Sequence, residues 1–166
     1  RFRYVEISHT TTSAVRNRGL AECRSEFVLF LDSDDQVGPR KLGGAMKLFE
    51  AYPECDIVFS GTDFYDHGNP GVYRKTYTNT RILLLQNYVG HSHALLADML
   101  KKNLFVISSP VTRTNAIRKI NGFREELNWV EDWDFYIRLF ISGLQIRCDE
   151  DVNSTSRIRV HQRSLS

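Results

Sequence analysis

FVLFLDSDD, residues Phe27 to Asp35, decides how the rest of the chain is read. Phe27 to Leu31 are apolar without alternation. A strand of a parallel sheet has that composition, because helices cover both of its faces. Asp32, Ser33, Asp34 and Asp35 follow at once. Carboxylates crowded together raise one another's pKa, since like charges disfavour joint ionisation. A divalent cation shared with phosphate oxygens relieves that repulsion. In open α/β sheets ligands sit beyond the carboxyl ends of the strands, so the position suits a metal–diphosphate site. An acidic turn with Asp capping a helix is the plainer alternative.

Other acidic loops fit less well. A calcium loop counted from Asp32 wants an acid or amide, then Gly, and later Glu, at places held here by Gln36, Val37 and Gly43. The haloacid dehalogenase phosphatases also carry a strand followed by Asp-x-Asp. They have Thr or Val two residues on, where Gln36 stands. That partial likeness makes a phosphatase the alternative enzyme reading.

Upstream, the hydroxyl run Thr10 to Ser13 precedes a helix expected from Ala14 to Arg24, with Ser13 as its N-cap. Arg16, Leu20 and Cys23 share one side of that helix, with Asn17 and Ala21 beside them. Spacing alone leaves Arg16 and Asn17 open between a solvated helix start and a site. Arg1 to Ile7 alternates as a strand does. The chain enters that stretch without a Met, and an upstream truncation is expected.

Downstream, Pro39 opens a helix with Leu42, Ala45, Met46 and Phe49 on one face, and Pro53 follows it. Asp56 to Ser60 is a short buried strand. Strand, helix, strand, helix, strand is the grammar of an α/β domain. Gly61 to Tyr77 is loop-like, with Gly68, Pro70 and Gly71. Arg81 to Lys102 is expected to be helical. Its His91 and His93 are read as surface residues rather than metal ligands, because no third ligand motif accompanies them. Phe105 to Thr112 is expected as a strand, Gly122 breaks the chain, and a last helix starts near Val130.

That helix carries the second acidic pair, Glu131 and Asp132. Asp134, Arg138 and Ser142 form its polar stripe at i, i+4 spacing. Glu131 falls near the stripe and Asp132 toward the apolar side. A carboxylate held there is partly dry, where a base can be tuned. Compensation of the helix dipole by two acids is the plainer alternative. The aromatics Trp133, Phe135, Tyr136 and Phe140 read as core rather than as a sugar platform.

Composition sets the outer limits. The chain has 166 residues, 42% hydrophobic and 25% charged, as ordinary globular domains do. A net charge of +2 with scattered Lys and Arg gives no nucleic-acid patch. Cys23, Cys55 and Cys148 are odd in number and form no CxxC, which fits a reducing compartment. No apolar run approaches the roughly 20 residues that span a bilayer.

Together these segments resemble family 2 glycosyltransferases of the GT-A fold. AVRNRGLAECRSEFVLFLDSDD (Ala14 to Asp35) is similar to their ARNxG helix and DSDD strand. SSPVTRTNAIRKINGFREEL (Ser108 to Leu127) resembles their strand–arginine–helix–GGF block. VEDWDFYIRL (Val130 to Leu139) resembles their ED motif, and RVHQRSLS (Arg159 to Ser166) their closing R-x-H-x-x-S. Val15 before Arg16, and Asn121 in the GGF block, depart from the pattern.

The resemblance implies a GT-A, Rossmann-like, mixed but mostly parallel sheet flanked by helices. By the same resemblance, residues 1–166 are expected to form a single partial domain that lacks the first strands, and this piece alone is expected to be inactive. It implies an inverting transfer from a nucleotide-sugar donor, by family frequency a UDP-sugar, to an acceptor hydroxyl. Asp132 is the implied general base. Asp32, with Arg16 and Asn17, is implied at the donor. Asp34 and His161 are implied at Mn²⁺ or Mg²⁺. The acceptor would be a glycan, lipid-linked or other hydroxyl, as in cell-envelope polysaccharide synthesis. The implied place is the cytoplasm, with peripheral association at the inner face of the membrane. A non-catalytic module of the same fold is the other alternative.

Overall fold

The structure is a computed structural model and describes residues 2–8, 10–66, 69–74 and 92–160. Its helices are α1 (Thr12–Glu22), α2 (Lys41–Ala51), α3 (Ser92–Met99), α4 (Thr114–Lys119) and α5 (Glu131–Ile141). Its strands are β1 (Phe27–Val28), β2 (Gln36–Val37), β3 (Ile57–Ser60), β4 (Thr62–Asp66), β5 (Asn69–Arg74), β6 (Val111–Arg113), β7 (Ile146–Asp149) and β8 (Ser156–Val160).

One sheet has the order β1-β6-β3-β7 and the other β2-β8-β4-β5. The pairs β3–β7 and β4–β8 are parallel. The other described pairs are antiparallel, so the sheets are mixed.

β3 shows how the layers form, because side chains of a strand alternate between its faces. Ile57 and Phe59 join the large core with Leu20 of α1, Ile117 of α4 and Phe135, Tyr136, Leu139 and Phe140 of α5. Val58 turns the other way and packs with Ala45 and Phe49 of α2. Phe59 stacks on Phe105 with centroids 4.1 Å apart, and Phe123 on Phe135 at 4.1 Å. Each fully buried side chain of this size stabilises the fold by about 1.5–3 kcal/mol. No helix among the described residues is long and apolar enough to cross a membrane.

Several expected elements differ. Residues 2–8 form neither helix nor strand, and Phe2 and Tyr4 are 92% and 76% exposed. Alternation alone makes no strand without a ladder partner. β1 is short and antiparallel to β6, so Phe27 to Leu31 is not a parallel strand. Its two faces are covered as expected, Val28 and Phe30 against one core and Phe27 and Leu29 against the other, while Leu31 is exposed. α1 starts earlier than expected because Thr11, not Ser13, caps it. The Thr11 hydroxyl accepts from the Ala14 amide at 3.2 Å, and Ser13 is buried. In α2, Leu42 is exposed while Lys41 is buried, one position round from the expected face.

The stretch expected as a loop holds β4 and β5. β5 is an edge strand, where Pro70 removes no needed ladder bond. Of Phe105 to Thr112 only the end pairs, in β6, because a turn closed from the Ser109 amide to the Val106 carbonyl bends the chain before Pro110. Of the expected helix 81–102, residues 92–102 are described; α3 ends at Met99, and residues 100–102 turn out of it. His93 lies in it and His91 lies outside the described residues.

Candidate active site

Leu20 anchors α1 in the core, and Arg16 lies one turn before it on the same side. The Arg16 side chain is only 10% exposed. Its Nη2 donates to Asp32 Oδ1 at 3.1 Å, and its Nη1 to Glu131 Oε1 at 2.9 Å. The guanidinium lies 5.5 Å from the centre of the Phe123 ring. One cation thus joins the loop after β1 to the first residue of α5. The Arg16–Glu131 pair, largely out of water, is screened far less than a surface ion pair, while the Asp32 end is half-exposed.

Asn17 spends its amide on a turn. Nδ2 donates to the Phe123 carbonyl and to Glu125 Oε1, and Oδ1 accepts from the Phe123 amide, all at 2.8 Å. The turn needs left-handed backbone at Asn121 (φ 58°) and Gly122 (φ 66°). A Cβ at Gly122 would stand 2.4 Å from Asn17 Oδ1. Glycine is therefore required there twice over.

The DSDD loop is tied by polar bonds. The Asp35 amide donates to the Asp32 carbonyl at 3.0 Å, which closes the turn. The Tyr65 hydroxyl donates to the Asp34 carbonyl at 3.1 Å. The Asp35 carboxylate accepts from Ser108 Oγ at 2.7 Å and from the Arg159 amide at 3.2 Å. Burial pushes Asp35 up, Asp32 and Asp34 add to the rise, and its hydrogen bonds oppose it.

Behind the loop lies a buried lysine. Lys41 Nζ donates to Ser60 Oγ, the Ser109 carbonyl and Ser156 Oγ. Ser156 Oγ donates in turn to the Ser108 carbonyl. Burial pulls Lys41 down to about 7, against the charge of Asp149.

Asp132 follows Glu131 in the first turn of α5. Its Oδ2 accepts from Asn103 Nδ2 at 3.0 Å and its Oδ1 from the Trp133 amide at 2.7 Å. Asn103 is oriented by its own oxygen, which accepts from the Phe105 amide at 3.2 Å. Burial pushes Asp132 up, and the neighbouring Glu131 charge adds to this. The bonds from Asn103 and Trp133, and the Arg16 charge, pull the other way. The preceding Val130 has φ 55°, a costly conformation for a β-branched residue. The strain sits directly before the acidic pair.

The structure therefore brings Arg16, Asp32 and Asp132 into one neighbourhood, with Asp34 two residues after Asp32 in the same loop. Asn17 is beside them, on the turn. His161 lies outside the described residues. Among the described residues no group of three His, Cys, Asp or Glu side chains is placed to hold a metal. Asn103, Tyr65, Ser108 and Lys41 were not legible as site residues. The serine lay inside a recognised block, whereas nothing in the spacing marks Asn103, Tyr65 or Lys41.

The chain is similar in sequence and fold to known proteins. The family described as glycosyltransferase like family 2 matches residues 4–155. The chain is 30% identical over 149 residues to the pre-mycofactocin glycosyltransferase of Mycobacterium tuberculosis, covering 86% of this chain and 30% of that protein. It is 24% identical over 135 residues to the O-antigen biosynthesis protein RfbC of Myxococcus xanthus, covering 80% of this chain and 9% of that one. The chain thus spans under a third of these relatives. Among solved structures, S. aureus TarS residues 1–349 in complex with UDP-GlcNAc superposes with a TM-score of 0.65 at 17% identity. That match covers 96% of this chain and 42% of TarS 1–349. At that identity the likeness is one of fold, and the fold is GT-A.

Proposed function

This chain belongs to the glycosyltransferase like family 2, and from that premise we propose an inverting, metal-assisted transfer of a sugar from a UDP-sugar to an acceptor hydroxyl. The observation that carries the reading is the Arg16 bridge, which sets the DSDD loop and the Glu131–Asp132 pair side by side. A donor bound at the first and an acceptor approaching the second would meet between them. S. aureus TarS was crystallised with UDP-GlcNAc and with UDP, which supports a uridine donor here. RfbC, an O-antigen biosynthesis protein, supports a glycan or lipid-linked acceptor in envelope polysaccharide synthesis. Such work belongs on the cytoplasmic side, at the inner membrane face when the acceptor is a lipid.

In this reading Asp32 and Arg16 face the donor, and Asn17 holds the turn beneath Arg16. Asp34 would hold the metal through a hard carboxylate oxygen, the ligand type Mg²⁺ takes. His161 would join it on the resemblance alone. When bound, Mn²⁺ or Mg²⁺ offsets charge on the departing diphosphate. Asp132 takes the proton of the acceptor hydroxyl as that oxygen attacks the anomeric carbon. The bond from that carbon to the diphosphate breaks, the nucleoside diphosphate leaves, and one in-line displacement inverts the centre.

The test is a donor panel. The full chain, given UDP-, GDP- and dTDP-sugars with a mixed glycan and polyprenyl-phosphate acceptor set, should transfer from a UDP-sugar in Mn²⁺ or Mg²⁺ and not in chelator. Equal transfer in chelator would remove the metal from the account. Transfer from another nucleotide alone would remove the uridine assignment.

A further inference from the structure

Glu131 is an acid that the reading above leaves without a task. Its side chain is only 18% exposed, and its Oε1 accepts from Arg16 Nη1 at 2.9 Å. The same guanidinium uses its other nitrogen on Asp32, at 3.1 Å and 3.4 Å to the two carboxylate oxygens. Phe123 covers the guanidinium from one side. Glu131 therefore fixes one end of a planar, two-ended donor whose other end orients Asp32. Without Glu131, Arg16 keeps a single anchor and the half-exposed Asp32 loses its fixed partner. A planar fork held at both ends sets direction as well as charge, which an ammonium cannot do.

We propose that Glu131 is a positioning residue for the nucleotide donor, acting on Asp32 through Arg16, while its neighbour Asp132 does the proton chemistry. The adjacent acids of the α5 head then serve opposite substrates. Glu131 tunes the donor side from the acceptor-side helix without touching either substrate. The inference rests on the donor-site assignment of Asp32.

The test is a double-mutant cycle on the full chain, with UDP plus Mn²⁺ as the calorimetric probe. Glu131→Gln keeps the shape of the side chain and removes the ion pair. It should weaken UDP binding about 5-fold or more, the size of a coupled network pair. The same substitution placed on Arg16→Met, or on Arg16→Lys if the first variant folds poorly, should add almost nothing. In transfer assays Glu131→Gln should raise donor KM by a larger factor than it lowers kcat, and Glu131→Asp should recover part of the loss. Additive losses in the cycle, or a fall confined to kcat, overturn the inference while the donor-site reading stands. If Asp32→Asn and Arg16→Met both bind UDP as the parent does, the donor-site reading itself falls, and the inference with it.

Discussion

Asp132 heads a helix whose next turns bury Phe135, Tyr136, Leu139 and Phe140 in the main core. Asp34 and Asp35 instead sit in a loop held by the Tyr65 hydroxyl, the Ser108 hydroxyl and the Arg159 amide. The helix that carries Asp132, the acid proposed for the acceptor side, is seated by packing, whereas the loop that carries the acids proposed for the donor side is tied by hydrogen bonds. Packing is stiff and collective, because a close-packed core does not shift in small steps. Hydrogen bonds are individually modest and act one at a time. A base aligned to a single proton gains from the first kind of support. A loop that must accept a diphosphate and release it gains from the second.

The largest effect expected on either side is chemical. Asp132→Asn should lower transfer by roughly 10²–10⁴-fold, the usual cost of losing a general base. The pH profile carries the same information. The base works ionised, and burial with Glu131 nearby lifts Asp132 above the ordinary carboxylate value of 3.8. Turnover should therefore fall, as pH drops, through an acid limb above that value. Asn103→Leu removes a donor that favours the ionised form, so it should move the limb higher still. A limb unmoved by Asn103→Leu would mean that another group sets it.

Next in size is the packing itself. Phe135→Ala should destabilise the fold by about 3–5 kcal/mol, as for other buried aromatics, read as a fall in the denaturation midpoint. Ser108→Ala removes one bond to a carboxylate and should cost less, roughly 1–3 kcal/mol. It should show mainly as weaker nucleotide binding, because it loosens the loop rather than the core. If Ser108→Ala unfolded the chain as readily as Phe135→Ala, the contrast between the two regions would fail.

The same contrast explains what could be read from the sequence. α5 was legible because its apolar residues recur at helical spacing, and the core they form follows from that spacing. Arg16 leaned toward the apolar side for the same reason, and the structure buries it. The acids after β1 were legible as a cluster, though not their ties. Tyr65 and Ser108 reach Asp34 and Asp35 across 31 and 73 residues, and no local pattern encodes such a bond. Lys41 was missed because a lysine normally faces water, and its three oxygen partners with the nearby Asp149 charge make its burial tolerable. The β4–β5 pairing was hidden by Gly68, Pro70 and Gly71, which signal a loop unless the strand lies at an edge.

The separation of donor and acceptor chemistry is tested most directly by titrating UDP into three full-length proteins, each with Mn²⁺ and again in chelator. These are the parent, Asp34→Asn and Asp132→Asn. The parent should bind much more tightly with Mn²⁺, and Asp34→Asn should lose that gain. Asp132→Asn should keep it while its transfer collapses. Equal binding of the parent with and without Mn²⁺, or loss of the gain in Asp132→Asn but not in Asp34→Asn, would contradict the account.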